Sequence, residues 1–322
     1  MRKASALIVT AGLLVASLTA CSTPGVTAED CTPPVTSGPA SELVSVTGAF
    51  GAQPVVDFPT PIKTATTQLN VVVPGEGAPV AEGQKVTVDL SVYNGTTGAV
   101  VQESPYDGTS QASLVVNDQT IKGLSESLLC AQVGSRLAVT VAPEDAFGPQ
   151  GGNADLGIAA TDTLVFVIDV VKSYLTRADG ADQPSVNGMP GVVLAENGAP
   201  GITIPSGAAP TDLKVAVLKK GDGATVKEGD PVTVAYTGVA WASKEVFDSS
   251  WTNGAPASLI AADGSKVQGG VIPGFAEAMI GQPVGSQVLA VIPPDQGYGD
   301  QAVQGIPAGS TLVFVVDILG IG

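Results

Sequence analysis

The chain has 322 residues, of which 44% are hydrophobic and only 14% charged, with 40 Gly, 24 Pro and a net charge of −16. That length accommodates two domains of ordinary size, and a Gly/Pro-rich, charge-poor composition points to a turn-rich β protein. The acidic balance argues against nucleic acid or an anionic membrane surface as partner. The lack of any His excludes Ser-His-Asp and Cys-His triads and His-containing metal sites. No Gly-rich phosphate loop opens a helix, so neither metal nor cofactor is expected.

At the start, Arg2 and Lys3 precede "ALIVTAGLLVASLTA", an apolar run too short to span a bilayer comfortably and ending in small residues. Residues 1–20 read as an export signal. "LTAC" (Leu18–Cys21) resembles the bacterial lipobox, which implies cleavage before Cys21 and lipidation of its thiol. The alternative is an ordinary secretory signal with a cysteine nearby. An acyl anchor with several chains holds firmly, at about 0.8 kcal/mol per buried CH₂, so the expected location is the outer face of the cytoplasmic membrane. Residues 21–47, which begin "CSTPGVTAEDCTPPVTSGPAS", read as a flexible Ser/Thr/Pro/Gly tether too polar to pack. Export brings oxidising surroundings, so Cys31 and Cys130 are predicted to pair and staple the tether to the first domain, against the alternative of two free thiols.

Beyond the tether the chain repeats itself. "GAQPVVDFP" (51–59) answers "NGAPGITIP" (197–205), and at the same offset "PGEGAPVAEGQKVTV" (74–88) answers "KGDGATVKEGDPVTV" (220–234). "VGSRLAVTVAPEDAFG" (133–148) answers "VGSQVLAVIPPDQGYG" (284–299), and "LGIAATDTLVFVIDV" (156–170) answers "QGIPAGSTLVFVVDI" (304–318). Two matched units of this size mean duplicated domains, here 48–172 and 189–322, rather than a solenoid. The polar, Gly/Pro-bearing stretch 173–188 reads as the linker. Within the second unit "PVTVAYTGVA" and "TLVFVVDILG" are β-branched strands, while "PGFAEAMIG" has Pro273 at a first helical position and Gly281 just past the end. About five antiparallel strands with one face covered by a short helix make each unit α+β.

The pieces "VTVAYTG", "VFDSS", "GGVIPGFAEAMIGQPVGS", "PPDQGYG" and "GIPAGSTLVFVVDIL", in this order and spacing, resemble the FKBP-type peptidyl-prolyl cis-trans isomerases over 211–320. The first repeat, 63–172, resembles the same fold with its signature eroded. The resemblance implies an apolar pocket with Tyr236, Phe247, Asp248, Ile272 and Tyr298 as its catalytic set. Val271, Phe275, Ile306, Phe314 and Leu259 would bind substrate. It further implies Phe275 as the floor, the Ile272 N–H and Tyr298 hydroxyl as donors to substrate carbonyls, and Asp248 as an electrostatic wall anchored by Tyr236. Ala257 and Leu259 stand where relatives often carry aromatics, which thins one wall and bears on affinity for the family's macrolide inhibitors.

Taken singly, these residues also suit structural roles: Tyr236, Val271, Phe275 and Phe314 as core, Asp248 as a turn carboxylate, Tyr298 as a loop residue. Trp241 and Trp251 match no pocket position and read as surface or loop residues. In the first repeat Leu90, Val101, Gln102, Leu124 and Phe147 replace Tyr236, Phe247, Asp248, Phe275 and Tyr298, while Ile121 and Phe166 are kept. The acid and both hydroxyls are gone, so poor isomerisation is expected there. The expected function is rotation of X–Pro bonds in proline-containing unfolded or exported polypeptides. The alternatives are a proline-peptide-binding chaperone without turnover and a structural envelope module.

Overall fold

The computed structural model describes residues 31–303 and 305–322; the predicted export signal of 1–20, the predicted lipidation of Cys21 and the start of the predicted tether lie outside the described residues. The chain opens with helix α1 (Pro39–Glu42), β1 (Ser45–Thr47) and β2 (Val55–Asp57). Then come β3 (Gln68–Val73), β4 (Lys85–Asn94), β5 (Val100–Glu103), β6 (Ala112–Val115), α2 (Lys122–Leu128), β7 (Arg136–Val141), β8 (Gly152–Asn153), β9 (Ile158–Ala159) and β10 (Leu164–Ser173). The second half holds β11 (Ala181–Asp182), β12 (Gly191–Leu194), β13 (Pro200–Thr203), β14 (Lys214–Lys220), β15 (Pro231–Ala240), β16 (Val246–Ser249), α3 (Ser250–Asn253), β17 (Ala257–Asp263), β18 (Gly270–Val271), α4 (Pro273–Met279), β19 (Gln287–Ile292) and β20 (Leu312–Ile321).

Each repeat forms its own sheet. The first runs β3-β7-β10-β4-β5 with β6 also on β4; the second runs β11-β14-β19-β20-β15-β17-β18 with β16 also on β15. Pairing is antiparallel except between β17 and β18. In both sheets the long C-terminal strand, β10 or β20, lies between two partners and is buried over most of its length. That is why "TLVFVVDI" reads as a continuous apolar run.

Both faces of each sheet are covered. In the second, Val288, Ala290 and Ile292 of β19 face the cluster built on Phe275, Ala278 and Met279 of α4, while Leu289 and Val291 face Trp241 and Ile204. The second cover is the β12–β13 hairpin, whose Val192 and Ile202 pack on that outer cluster. The first repeat follows the same plan. Leu124 and Leu128 of α2 join Leu137, Val139 and Phe166 on one face, while Ala40, Val44 and Val46 pack with Ala138 and Val165 on the other.

Three sequence expectations are corrected here. The tether does not remain free to residue 47: Val35, Ala40, Ser41 and Val44 are buried, because the outer face of the first sheet is apolar and requires a cover. Trp241 is not a surface residue but is buried under the hairpin. The stretch 173–188 is not a free linker throughout: 173–182 forms a strap on the second sheet, while 184–188 stay exposed. Ser173 still belongs to β10, Tyr174 and Ala178 are buried, and β11 adds to the edge of the second sheet.

Each strap or prefix is fastened to a buried carboxylate. In the first repeat Arg136 makes a bidentate pair with Asp169 (Nε–Oδ1 2.6 Å, Nη2–Oδ2 2.8 Å) and donates to the Gly48 and Ala52 carbonyls, while the Gly51 N–H donates to Asp169 at 2.7 Å. In the second, Gln287 Nε2 and the Ala178 N–H donate to Asp317 at 2.7 and 2.8 Å. Cys31 and Cys130 form a disulfide that joins the start of the described chain to the end of α2.

Candidate active site

The site is made where β15, β16, α4 and β20 meet. Opposite β15, strand β16 pairs Thr237 with Ser249, Gly238 with Asp248 and Val239 with Val246, leaving Phe247 as an extra residue. Such a bulge re-aims side chains, and here both Phe247 and Asp248 line one cavity. The Tyr236 N–H donates to Ser250 Oγ at 2.8 Å, fixing the turn that follows β16. Pro273 begins α4 and places Ile272 at its N-cap, where the N–H has no partner within the helix.

The cavity holds about 760 Å³ and is walled by Tyr236, Phe247, Asp248, Leu259, Val271, Ile272, Phe275, Tyr298 and Phe314. Its base is an aromatic cluster. The Phe275 and Phe314 centroids are 4.9 Å apart at 86°, Phe247 and Phe314 are 5.5 Å apart at 83°, and Tyr236 meets Phe275 edge-on at 6.0 Å. Edge-to-face pairs contribute about 0.5–1.5 kcal/mol each beyond their area, so the floor is stiff. Gly238 makes it possible: a Cβ there would lie 2.5 Å from Phe247 and 2.8 Å from Phe314.

Two polar devices stand beside the aromatic floor. The Tyr236 hydroxyl donates to Asp248 Oδ2, and Asn253 Nδ2 donates to Oδ1 at 3.3 Å, so the carboxylate is held at the wall by both oxygens. Burial, then the bond to Asp248 and the charges of Asp248 and Tyr298, push the Tyr236 phenol well above its usual range. On the far side Tyr298 is 37% exposed at the rim, beside Gly297 and Gln301.

Of the ten residues predicted for catalysis and binding, nine line this one cavity. Ile306 is the one that is not among the lining residues: a turn bonds its N–H to the Val303 carbonyl (2.8 Å), and its side chain is buried in the core cluster that also holds Phe275 and Phe314. Sequence reasoning missed Asp263, Gly264, Ser265, Gly269, Gly270 and Gln301, which complete the lining. The Gly-rich "ADGSKVQGG" before Val271 marks that loop, but nothing local says which way it folds.

The first repeat keeps the scaffold and puts apolar side chains at the corresponding positions. Its β4–β5 pairing carries the same bulge, at Val101, and Ser104 Oγ likewise accepts the Leu90 N–H at 3.1 Å. Leu90, Val92, Leu124 and Phe166 are buried in a single apolar cluster, and Val101, Ile121 and Phe147 pack against it. Val92 stands where the second repeat has Gly238, and Gln102, in Asp248's place, is exposed.

A family model described as FKBP-type peptidyl-prolyl cis-trans isomerase matches residues 77–171 and again 223–319. Among curated relatives, the chain is 35% identical over 119 residues to the FK506-binding protein of Streptomyces anulatus, covering 36% of this chain and 92% of that protein. It is 40% identical over 111 residues to the isomerase FkpA of Escherichia coli K12, covering 34% of this chain and 38% of that one. A solved structure of the three FKBP domains of wheat FKBP73 aligns at 20% identity and TM-score 0.36, over 80% of this chain and 94% of that one.

Proposed function

Because the chain belongs to the FKBP-type peptidyl-prolyl cis-trans isomerase family, we propose that X–Pro bonds turn in the cavity of its second repeat, and that Tyr236, Phe247, Asp248, Ile272 and Tyr298 carry the reaction there. The observation that carries this reading is the aromatic-floored cavity with the Asp248 carboxylate fastened beside that floor. The reaction needs neither base nor nucleophile. A prolyl amide rotates without breaking a bond, over a barrier of about 18–20 kcal/mol set by charge-separated resonance in its planar form. An apolar site removes the water that favours the planar dipole, so the twisted form gains relative to it. Each factor of ten in rate requires only about 1.36 kcal/mol of such difference.

The roles follow from position. Phe275, Phe314 and Tyr236 hold the proline ring; Val271 and Leu259 flank the residue before it. The Ile272 N–H, free at the helix start, donates to a substrate carbonyl, and the Tyr298 hydroxyl at the rim donates to another. Asp248 faces the twisting amide as an electrostatic wall and transfers no proton in this reading. Ala257 and Leu259 leave the β17 wall thin, so the family's macrolide inhibitors are expected to bind weakly.

The substrates are proline-containing polypeptides. We further infer, from the sequence of residues 1–21 alone, an exported protein anchored through a lipid on Cys21 to the outer face of the cytoplasmic membrane, acting on exported clients. Slow prolyl steps there last tens of seconds unaided. The test is cis–trans exchange in a short X–Pro peptide with the full chain. Asp248→Ala and Tyr298→Phe are each expected to lower kcat/KM by about tenfold, the worth of one well-placed hydrogen bond to a charged or polarised group. A wild-type chain that binds the peptide and leaves its exchange rate unchanged would make this a binding module instead.

A further inference from the structure

We propose that the first repeat and the strap position the Asp248 side of the second repeat's cavity, with Lys85, Asn117 and Tyr174 as the positioning residues. The inference rests on the isomerase reading of that cavity. Three contacts from outside the second repeat converge on the elements that carry this wall. Lys85 Nζ, on β4 of the first repeat, donates to Thr233 Oγ1 at 3.2 Å and to Ser258 Oγ. Thr233 and Ser258 are register partners on β15 and β17, and the neighbours of Ser258 are Ala257 and Leu259, both cavity wall. Tyr174 of the strap is buried against Ala235, Leu319 and Trp251, the last lying in α3 just after Asp248. Lys85 and Lys172 flank its ring at 4.9 and 5.0 Å.

The third contact reaches nearest the carboxylate. Asn117 Nδ2, in the loop after β6, donates to the Gly254 carbonyl at 3.4 Å. Gln119 lies so close that a Cβ on Gly254 would come within 2.9 Å of its amide nitrogen. Gly254 ends α3, and the residue before it is Asn253, whose amide holds Asp248 Oδ1. A loop exposed at Thr252, Asn253 and Gly254 has little of its own burial to define it. Its anchorage comes from Ser250 on one side and from the first repeat on the other. Loss of the outer anchorage leaves the cavity intact but frees the amide that orients the acid, and a misplacement of this kind weakens catalysis more than binding.

The experiment uses full-length chains with and without Asp248→Ala. Asn117→Ala combined with Gln119→Ala, and separately Lys85→Met, are expected to lower kcat/KM for X–Pro exchange about fivefold, the size of a coupling between touching residues. Peptide affinity should stay within about twofold, and Lys85→Arg should restore the rate. In the Asp248→Ala background the same changes should have no further effect. Equal losses in both backgrounds, or no loss in an active parent, overturn the proposal. If the parent itself does not catalyse exchange, the isomerase reading fails by itself. The Asn253 side-chain amide resonance then decides: a shift in Asn117→Ala supports the positioning contact and an unmoved resonance overturns it.

Discussion

Asp248 sits on an apolar wall, and its oxygens are taken by a phenol and an amide rather than by a cation. Neither partner brings a positive charge, so in the proposed reaction the acid's part is electrostatic and not proton transfer. Tyr236 is the partner whose state can be tested. Its phenol is raised by burial first and by Asp248 second, so it remains the neutral donor at pH values where an ordinary tyrosine has ionised. Ultraviolet titration of wild type and Tyr236→Phe to about pH 11 is therefore expected to yield the same number of phenolates. One additional phenolate in wild type with a midpoint near 10 would show that Tyr236 is free of the acid.

Elements differ in how openly the chain declares them. Pro273 and Gly281 bracket α4, the β-branched runs announce β15 and β20, and the duplicated segments reveal two sheets before any coordinates are known. Nine wall residues were legible because the order and spacing of the quoted motifs resemble a family whose pocket positions they match; taken singly, each reads equally well as core or turn. The covers were not legible. A strand buried on both faces reads the same whether a hairpin, a helix or a partner lies over it, so Trp241 and Ala40 gave no local sign of burial. Gly238 was equally silent, since a glycine in a strand reads as a weakness until two phenyl rings are seen to need its space. The buried carboxylates also separate the repeats. Asp169 has an arginine, whereas Asp317 has only amide donors, and burial raises the Asp317 carboxyl above its ordinary value. The favourable contribution of Asp317 is thus present below its unfolded pKa and is lost as pH rises through the folded value. Thermal melts should show Asp317→Asn gaining on wild type at pH 7 and losing that advantage toward pH 4. A difference that does not change with pH contradicts this.

At the scale of the molecule, one duplicated fold serves two ends. The first copy is stapled and carries no acid at the Asp248 position; the second holds the cavity. The staple spans a sequence separation of 99 residues, for which loop-closure entropy gives about 4–5 kcal/mol. That exceeds the roughly 1–2 kcal/mol cost of holding Cys130 at φ +66°, the left-handed position that Gly281 occupies in the second repeat. Reduction is expected to lower the first repeat's denaturation midpoint and leave the second's in place; unchanged midpoints would show that the bond contributes nothing. The copies part most sharply at Val92 and Gly238, where a side chain is present in one and two rings occupy its space in the other. The most direct measurement is therefore X–Pro exchange by the full chain carrying Gly238→Val, with the second repeat's melting temperature recorded alongside. A folded variant with at least about tenfold less activity, equivalent to some 1.4 kcal/mol, is the predicted result. A folded variant that turns over the peptide as fast as wild type contradicts the account.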